Sequence, residues 1–376
     1  MIPFNKPHLT GKETHYIYDA VSTGKISGNG KYTKLCQEFF EKKYGFLKCL
    51  MTTSCTDALE MAAILINIEP GDEVIMPSYT FVSTSNAFIL RGAVIKFADS
   101  EVGNPNLDVS KIQRLITDKT KAIVPVHYAG VACDMDAIMD LATKYNLFVV
   151  EDAAQAIDSF YTGRDGKKRA LGSIGHLAAF SFHETKNIIA GEGGMLAIND
   201  PQFVQRAEII WEKGTNRSSF FRGEVDKYGW VDMGSSFLPS EIISAFLWAQ
   251  LEELDDIQAR RKAIWNQYQQ GLSDWGNANG IRLPEIPSYA TNNAHMFYLV
   301  CNNPEVRSEL IQKMKNQDIH PVFHYLSLHK SPFYAEKHHG AELAQSDRYS
   351  DCLVRLPFYY DLTDAELEGI IKALRS

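Results

Sequence analysis

The chain has 376 residues, 45% of them hydrophobic and 22% charged, an ordinary globular balance with enough length for two separate cores. A formal net charge of −8 argues against a nucleic-acid partner, because a polyanion needs a basic face; small anionic ligands require cations gathered locally. The opening MIPFNKPH has no apolar stretch of signal-peptide length and no later run suits a membrane span, so a soluble, cytoplasmic protein without a membrane partner is expected.

In chain order, the helical spacing of Tyr16, Ile17, Ala20 and Val21 predicts a helix, broken by GKISGNG at 24–30. That glycine-rich run reads as a connector, with close backbone approach to a ligand as the alternative. From residue 50 the pattern becomes rhythmic. Residues 57–68 read as a helix apolar on all sides, 69–77 as a turn and strand, 80–92 as a helix and 93–99 as a strand. Residues 121–130 give a strand with its exit loop, 135–145 a helix, and 147–152 another strand. Strands alternating with helices predict an α/β fold with a parallel or mostly parallel sheet covered on both faces. Residues 177–182 and 195–200 add strands, and a helix through Gln205 to Trp211 follows. The stretch 213–230 is polar, aromatic and aperiodic, a pattern of functional or mobile loops. Sustained helical spacing over 240–272 predicts one or two helices leading out of a first domain, and 295–302, 320–325 and 362–374 predict a smaller α/β domain. The expected division is 1–250 and 251–376.

Four features converge on one chemistry. Ser54, Cys55 and Thr56 open a buried helix, where free amides and hydroxyls suit a phosphate; a plain N-cap is the local alternative. Asp152 closes a buried strand, and an acid there can hold a protonated pyridine nitrogen, with capping of the next loop as its alternative. Gln155, three residues on, comes within reach of the same ring. Lys186 leaves a strand that ends near Ser181, in a turn followed by Gly191, Gly193 and Gly194. An amine at a strand end can form a Schiff base with an aldehyde cofactor. Amine, pyridine partner and phosphate cradle together describe a site for pyridoxal 5'-phosphate (PLP). Six scattered cysteines without a Cys-x-x-Cys pair indicate no metal.

SCTDALEMA (54–62), PGDEVIMPSYTFVST (70–84), VPVHYAG (124–130), VVEDAAQA (149–156), SFHETKN (181–187) and GEGGM (191–195) stand in register over the chain. With these motifs the sequence resembles the DegT/DnrJ/EryC1/StrS sugar-nucleotide aminotransferases. The resemblance implies a fold-type I PLP-dependent transferase, with a large domain built on a mostly parallel seven-stranded sheet flanked by helices and a smaller C-terminal α/β domain. It also implies a homodimer with active sites at the interface. Lys186 and Asp152 take the catalytic positions, Phe81 the position that stacks on the cofactor ring, and Gln155 the place near the ring hydroxyl. Ser54, Cys55, Thr56 and Ser181 match phosphate binders. Where many members place an asparagine of the neighbouring subunit by the phosphate, this chain has Ser236; Ser236, or Asn216 and Arg217 of the preceding loop, would make that contact. A lysine at 186 favours transamination over the dehydration run by relatives with histidine there.

MIPFNKP (1–7), LRGA (90–93), HYAGVAC (127–133), KGTNRS (213–218) and GSSFLPSE (234–241) resemble one branch of the family. Its members pass an amino group from L-glutamate to C4 of TDP-4-dehydro-6-deoxy-D-glucose for surface-glycan synthesis. On that resemblance Lys25, Lys31, Arg217, Arg222 and Arg355 are the cations for the TDP-sugar diphosphate, and His324 and Tyr325 approach the hexose. Amination at C3, the opposite configuration at C4, and a non-enzymatic PLP-binding regulator are the alternatives.

Overall fold

The computed structural model describes all residues from Met1 to Ser376. Helices α1 (Glu13–Ser22) and α2 (Lys31–Tyr44) lead to β1 (Lys48–Thr52), and the alternation begins: α3 (Cys55–Leu65), β2 (Glu73–Pro77), α4 (Val82–Ile89), β3 (Val94–Ala98), β4 (Thr120–Ile123), α5 (Met135–Tyr145) and β5 (Phe148–Asp152). A short hairpin, β6 (Phe160–Thr162) with β7 (Lys168–Ala170), precedes β8 (Leu177–Ser181), β9 (Gly194–Ile198), α6 (Val204–Trp211), α7 (Arg217–Phe221) and α8 (Glu241–Glu252). The remainder comprises α9 (Leu254–Asn279), β10 (Tyr298–Val300), α10 (Pro304–Lys315), α11 (Ala344–Cys352), β11 (Leu353–Arg355) and α12 (Asp364–Arg375).

Seven strands form one sheet in the order β1-β9-β8-β5-β4-β2-β3. All run parallel except β9, which pairs antiparallel with both β1 and β8. Both faces are covered, and side chains divide by the strand period of two. On β8 and β9, Ala178, Phe180, Met195 and Ala197 join the core beneath α2, α5 and α8, while Leu177, Ala179, Leu196 and Ile198 join the core beneath α3, α4 and α6. That second core explains why α3 is apolar all round: it is wedged between sheet and neighbouring helices, with Ala58 through Leu65 buried apart from Glu60.

Helix ends follow local chemistry. Asp134 Oδ1 accepts from the Ala137 amide at 3.1 Å to start α5, and Asn146 stops it at φ 54°. Thr363 and Glu366 form a reciprocal capping box on α12. The long apolar stretch after residue 240 resolves into α8 and α9, interrupted at Glu253 (φ −107°, ψ 11°). Helix α9 then packs with β10, β11 and α12 around a third core containing Ile264, Tyr268, Phe297, Leu356 and Leu367. Residues 320–325 contribute only a bridge, Val322 to Arg355, rather than a strand.

The chain's first residues lie on this C-terminal unit. The Ile2 amide donates to Asp318 O at 2.7 Å, and Phe4 O accepts from the Phe358 amide at 3.0 Å. In the 24–30 loop, Gly28 and Gly30 lie close against protein: a Cβ on Gly28 would stand 2.1 Å from the Pro239 carbonyl oxygen. Glu241, 1% exposed at the start of α8, accepts from the amides of Gly30 (2.9 Å) and Tyr32 (2.7 Å), and a Cβ on Gly30 would stand 2.6 Å from its carboxyl carbon. No helix is long and apolar enough to cross a membrane.

Candidate active site

Parallel strands deliver their C-terminal ends to one edge of the sheet, where open α/β sheets bind ligands. β5 ends on Asp152 and β8 on Ser181, and the turns after β1, β2 and β4 open onto the same edge. Because β9 runs antiparallel to β8, the connection between them leaves and returns at this edge, and Lys186 stands in it. The loop is closed by backbone bonds from Phe182 N to Gly193 O (2.8 Å) and Ala190 N to Phe182 O (2.7 Å). Asn187, 5% exposed, pins it to the rest of the fold: its amide nitrogen donates to Gln258 Oε1 and Asn293 O, and its oxygen meets His295 Nδ1 at 2.8 Å.

Lys186 itself makes no side-chain hydrogen bond to protein. Burial pushes its pKa down, Cys55 and Asp152 pull it up, and Arg355 pushes it down again, for a net lowering. Asp152, 5% exposed, accepts from Thr84 Oγ1 at 2.7 Å and from the Ala154 amide at 3.2 Å. Burial raises its pKa, and these bonds, with the charges of Lys186 and His127, offset that only in part. Gln155 is fixed at both ends, its oxygen accepting from the Ala129 amide at 2.6 Å and its nitrogen donating to the Tyr325 hydroxyl at 2.9 Å. Phe81 precedes α4 with its ring 54% exposed, 6.1 Å from that of Tyr325.

At the α3 start, Ser54 Oγ accepts from the Asp57 amide at 3.1 Å, so its hydroxyl serves as the N-cap, and Thr56 Oγ1 donates to Ser83 Oγ at 2.8 Å. The amides of Cys55 and Thr56 have no protein acceptor and carry the positive end of the helix dipole. Gly194 makes this approach possible: a Cβ there would lie 2.3 Å from the Ser54 carbonyl carbon and 2.4 Å from the Cys55 nitrogen.

An aromatic wall rises beside Gln155. The Tyr128 hydroxyl and His324 Nδ1 share a hydrogen bond at 2.7 Å, His324 stacks on Tyr325 with centroids 3.6 Å apart, and Tyr79 packs within 5.8 Å of Tyr128, Tyr325 and Tyr349. Burial, then Arg355 and Lys186, hold His324 well below the ordinary imidazole pKa, so it is neutral. Arg355 reaches this wall from β11, its guanidinium 4.4 Å from the Phe4 ring centroid.

The remaining sequence-derived positions are distributed differently. Lys31 pairs with Asp19 at 2.8 Å, and Arg222 pairs with Glu208 at 2.9 Å and Glu224 at 2.7 Å. Lys25 donates to Asn29 O at 3.0 Å. Asn216 Oδ1 accepts from the Gly229 amide, and Arg217 lies over the Phe221 ring. Ser236 is exposed and precedes Phe237, whose carbonyl accepts from the Thr53 amide at 3.0 Å beside the α3 start. Sequence reading missed Thr84, Asn187, Tyr79, Tyr128 and the pair His127–Glu151; Thr84, at a strand-to-helix junction like Ser54, carried a usable signal. A surface cavity of about 560 Å³ is walled by other residues, among them Asn303, His329 and Asp347.

The residues present fit PLP. Free helix amides at Cys55 and Thr56, with Ser181 nearby, would hold its phosphate; Asp152, its pKa raised by burial, would hold the ring nitrogen; Gln155 and Phe81 would border the ring; and Lys186 offers an amine without a competing acceptor.

A family model described as the DegT/DnrJ/EryC1/StrS aminotransferase family matches residues 7–375. The spore coat polysaccharide biosynthesis protein SpsC of Bacillus subtilis (strain 168) is 31% identical over 383 residues, covering 100% of this chain and 96% of that protein. GDP-perosamine synthase of Caulobacter vibrioides is 32% identical over 377 residues, covering 98% and 96%. Among solved structures, DesV of S. venezuelae superposes with a TM-score of 0.90 at 28% identity, covering 100% of this chain and 97% of that one.

Proposed function

The chain belongs to the DegT/DnrJ/EryC1/StrS aminotransferase family and is a PLP-dependent sugar-nucleotide transaminase; on that premise we propose its donor, acceptor and product. L-Glutamate gives up its amino group, and the C4 keto carbon of TDP-4-dehydro-6-deoxy-D-glucose receives it, yielding TDP-4-amino-4,6-dideoxy-D-galactose for a surface glycan. The reading is supported by the branch motifs at 1–7, 90–93, 127–133, 213–218 and 234–241. The observation that carries transamination is the meeting of an unpaired lysine amine, a buried acid and an open helix N-terminus on one sheet edge.

When bound, PLP supplies an electron-accepting ring that carries the amino group between the two substrates. The protein's part is positional and acid–base. Asp152 Oδ holds the ring nitrogen's proton, and Thr84 keeps that carboxylate in place. Lys186 Nζ, its pKa lowered by burial, takes the proton from the amine-bearing carbon of the donor and returns it on the other side of the exchange, a service worth about 10²- to 10⁴-fold. Gln155 and Tyr325, bonded to each other, fix the ring's flank, and neutral His324 with Tyr128 lines the hexose side.

The domains are read as 1–250 and 251–376, and the active form as a homodimer. Support for a dimer comes from an apolar surface that a lone chain leaves bare, with Phe221, Trp230 and Val231 at 70%, 85% and 54% exposure. Ser236, Asn216 and Arg217 lie in or beside that surface, where a partner subunit would bring one of them to the phosphate.

A GDP-linked acceptor is the second reading, favoured by the 32% identity to GDP-perosamine synthase. Purified enzyme incubated with L-glutamate and each keto-sugar nucleotide, with the product's amine position and configuration assigned by NMR, separates them. Ping-pong kinetics and a galacto-configured 4-amine from the TDP-sugar are expected. A 3-amine, a gluco product, or turnover of the GDP-sugar alone would replace the reading.

A further inference from the structure

The turn that leads into β10 binds more partners than a connector needs. Asn293 is 0% exposed; its side-chain nitrogen donates to the carbonyls of Gln155 and Ile157, both at 2.8 Å, and its side-chain oxygen accepts from the His295 amide at 3.0 Å. Its main-chain carbonyl accepts from Asn187 Nδ2 at 2.9 Å and Gln258 Nε2 at 3.3 Å. One residue thereby touches both the loop that carries Gln155 and the loop that carries Lys186. It also abuts a third segment: a Cβ on Gly130 would collide with Asn293 Oδ1, and the adjacent Ala129 amide is the group that holds Gln155 Oε1 at 2.6 Å. Between Asn293 and His295, Ala294 lies in the left-handed region at φ 51°, which a residue with a side chain keeps only where its surroundings enforce it. Arg261 of α9 enforces it, its guanidinium donating to the carbonyls of Ala294 (3.0 Å) and His295 (2.6 Å), and Asn292 Oδ1 accepts from the Ala294 amide at 2.8 Å.

The bond at the far end of this turn has a fixed direction. Asn187 Nδ2 faces the main-chain carbonyl of Asn293, which can only accept, so the Asn187 atom that meets His295 Nδ1 at 2.8 Å is its oxygen. His295 therefore carries a proton on Nδ1 and donates it. Burial, then the charges of Lys186, Arg261 and Arg355, hold this imidazole well below its ordinary pKa, so the ring is neutral. Asn187 is the next residue after Lys186, and turning its carboxamide moves the lysine's main chain. We propose that Asn293 and His295 are positioning residues: acting through Asn187 on one side and through the Gln155 loop on the other, they fix the Lys186 amine relative to the ring flank that Gln155 borders. The inference rests on the transaminase reading, in which Lys186 moves the proton. Proton transfer requires heavy atoms within about 2.6 to 3.2 Å of each other, so a lysine whose loop slides loses rate before the enzyme loses affinity for substrate.

The test compares wild type with Asn187→Ala, His295→Leu and the double substitution, each checked for fold by circular dichroism. His295→Asn is the conservative variant, because it offers an amide N–H where Nδ1 stands. If His295→Leu does not fold, Asn187→Ala carries the same expectation. In both single variants kcat is expected to fall about 10- to 100-fold with KM for both substrates little changed. The double substitution should cost no more than either alone, since both remove one shared bond, and His295→Asn should recover most of the loss. In the cofactor-free protein, hydrogen exchange across residues 182–193 should quicken in Asn187→Ala and His295→Leu while that of β2 stays as in wild type. Additive losses in the double substitution, His295→Asn no better than His295→Leu, or unchanged exchange in the loop overturns the proposal. If wild type itself gives no change in cofactor absorbance with glutamate, the donor assignment fails instead, and exchange in the cofactor-free protein still judges the hold on the Lys186 loop.

Discussion

Glu151 and Asp152 are successive residues on β5, 0% and 5% exposed, yet the fold treats their charges in opposite ways. Glu151 points to one face and accepts from the amides of Gly172 (2.7 Å), Ile174 (2.8 Å) and Gly175 (2.5 Å), with His127 Nε2 at 2.8 Å. Burial pushes its pKa up, but the hydrogen bond and charge of His127 and those amides more than cancel it, and the net shift is downward. Asp152 points to the other face with one hydroxyl and one amide, and its pKa stays raised. The first carboxylate is satisfied from within and ties β5 to β4 and to the 172–175 turn. The second is left incomplete, so a cationic ligand gains what the protein withholds. A buried acid is informative about function through what it lacks.

The sharpest way to break this contrast is Glu151→Gln, which places an amide nitrogen among donors and strands His127. A loss of about 3 to 5 kcal/mol is expected, a large share of a typical domain's stability, measured by urea unfolding, with turnover per folded molecule little changed. Asp152→Asn should do the reverse: turnover down about 10²- to 10³-fold, with the cofactor-free protein melting at the same or a higher temperature. Equal destabilisation by both substitutions would erase the distinction.

Acidity reads out the two signs separately. Glu151, lowered on folding, contributes stability that is present above its unfolded pKa of roughly 4.3 and lost as pH falls through the folded value. Asp152, raised on folding, contributes in the cofactor-free protein below its unfolded pKa of roughly 3.9, and that contribution disappears as pH rises through the folded value. Melting profiles of Asp152→Asn should therefore lack the loss above pH 4, while those of Glu151→Gln should lack the acid-side loss. The smallest effect is expected of Thr84→Val, which removes the 2.7 Å bond to Asp152. It should move the Asp152-linked limb upward by about one pH unit, equivalent to ~1.4 kcal/mol; an unmoved limb would mean that Thr84 does not govern this carboxylate.

Much of the molecule was legible in the chain. Helix α5 falls on the residues its spacing predicts, and β2, β3, β5 and β8 are the expected short apolar runs. Strand β1 and the hairpin β6–β7 were not anticipated, because three to five residues carry too little period to distinguish from loop. Glu241 shows a deeper limit: it appears as one more acid at a helix start, yet it caps α2 from 211 residues away. The same holds for Arg355, which shares its composition with every surface arginine until β10, Val322 and Phe4 surround it.

The sequence by itself determined the alternation of strand and helix, the amine at 186, the acid at 152 and the helix start at 54, since each depends on neighbours within a few positions. Tertiary structure alone decided that β9 runs antiparallel, that Glu151 is closed while Asp152 is open, and that Arg355 lies over Phe4 with its Nε buried and unpartnered. Those outcomes depend on which distant groups share a low-dielectric space, and electrostatic energy there is set by separation in ångströms rather than along the chain.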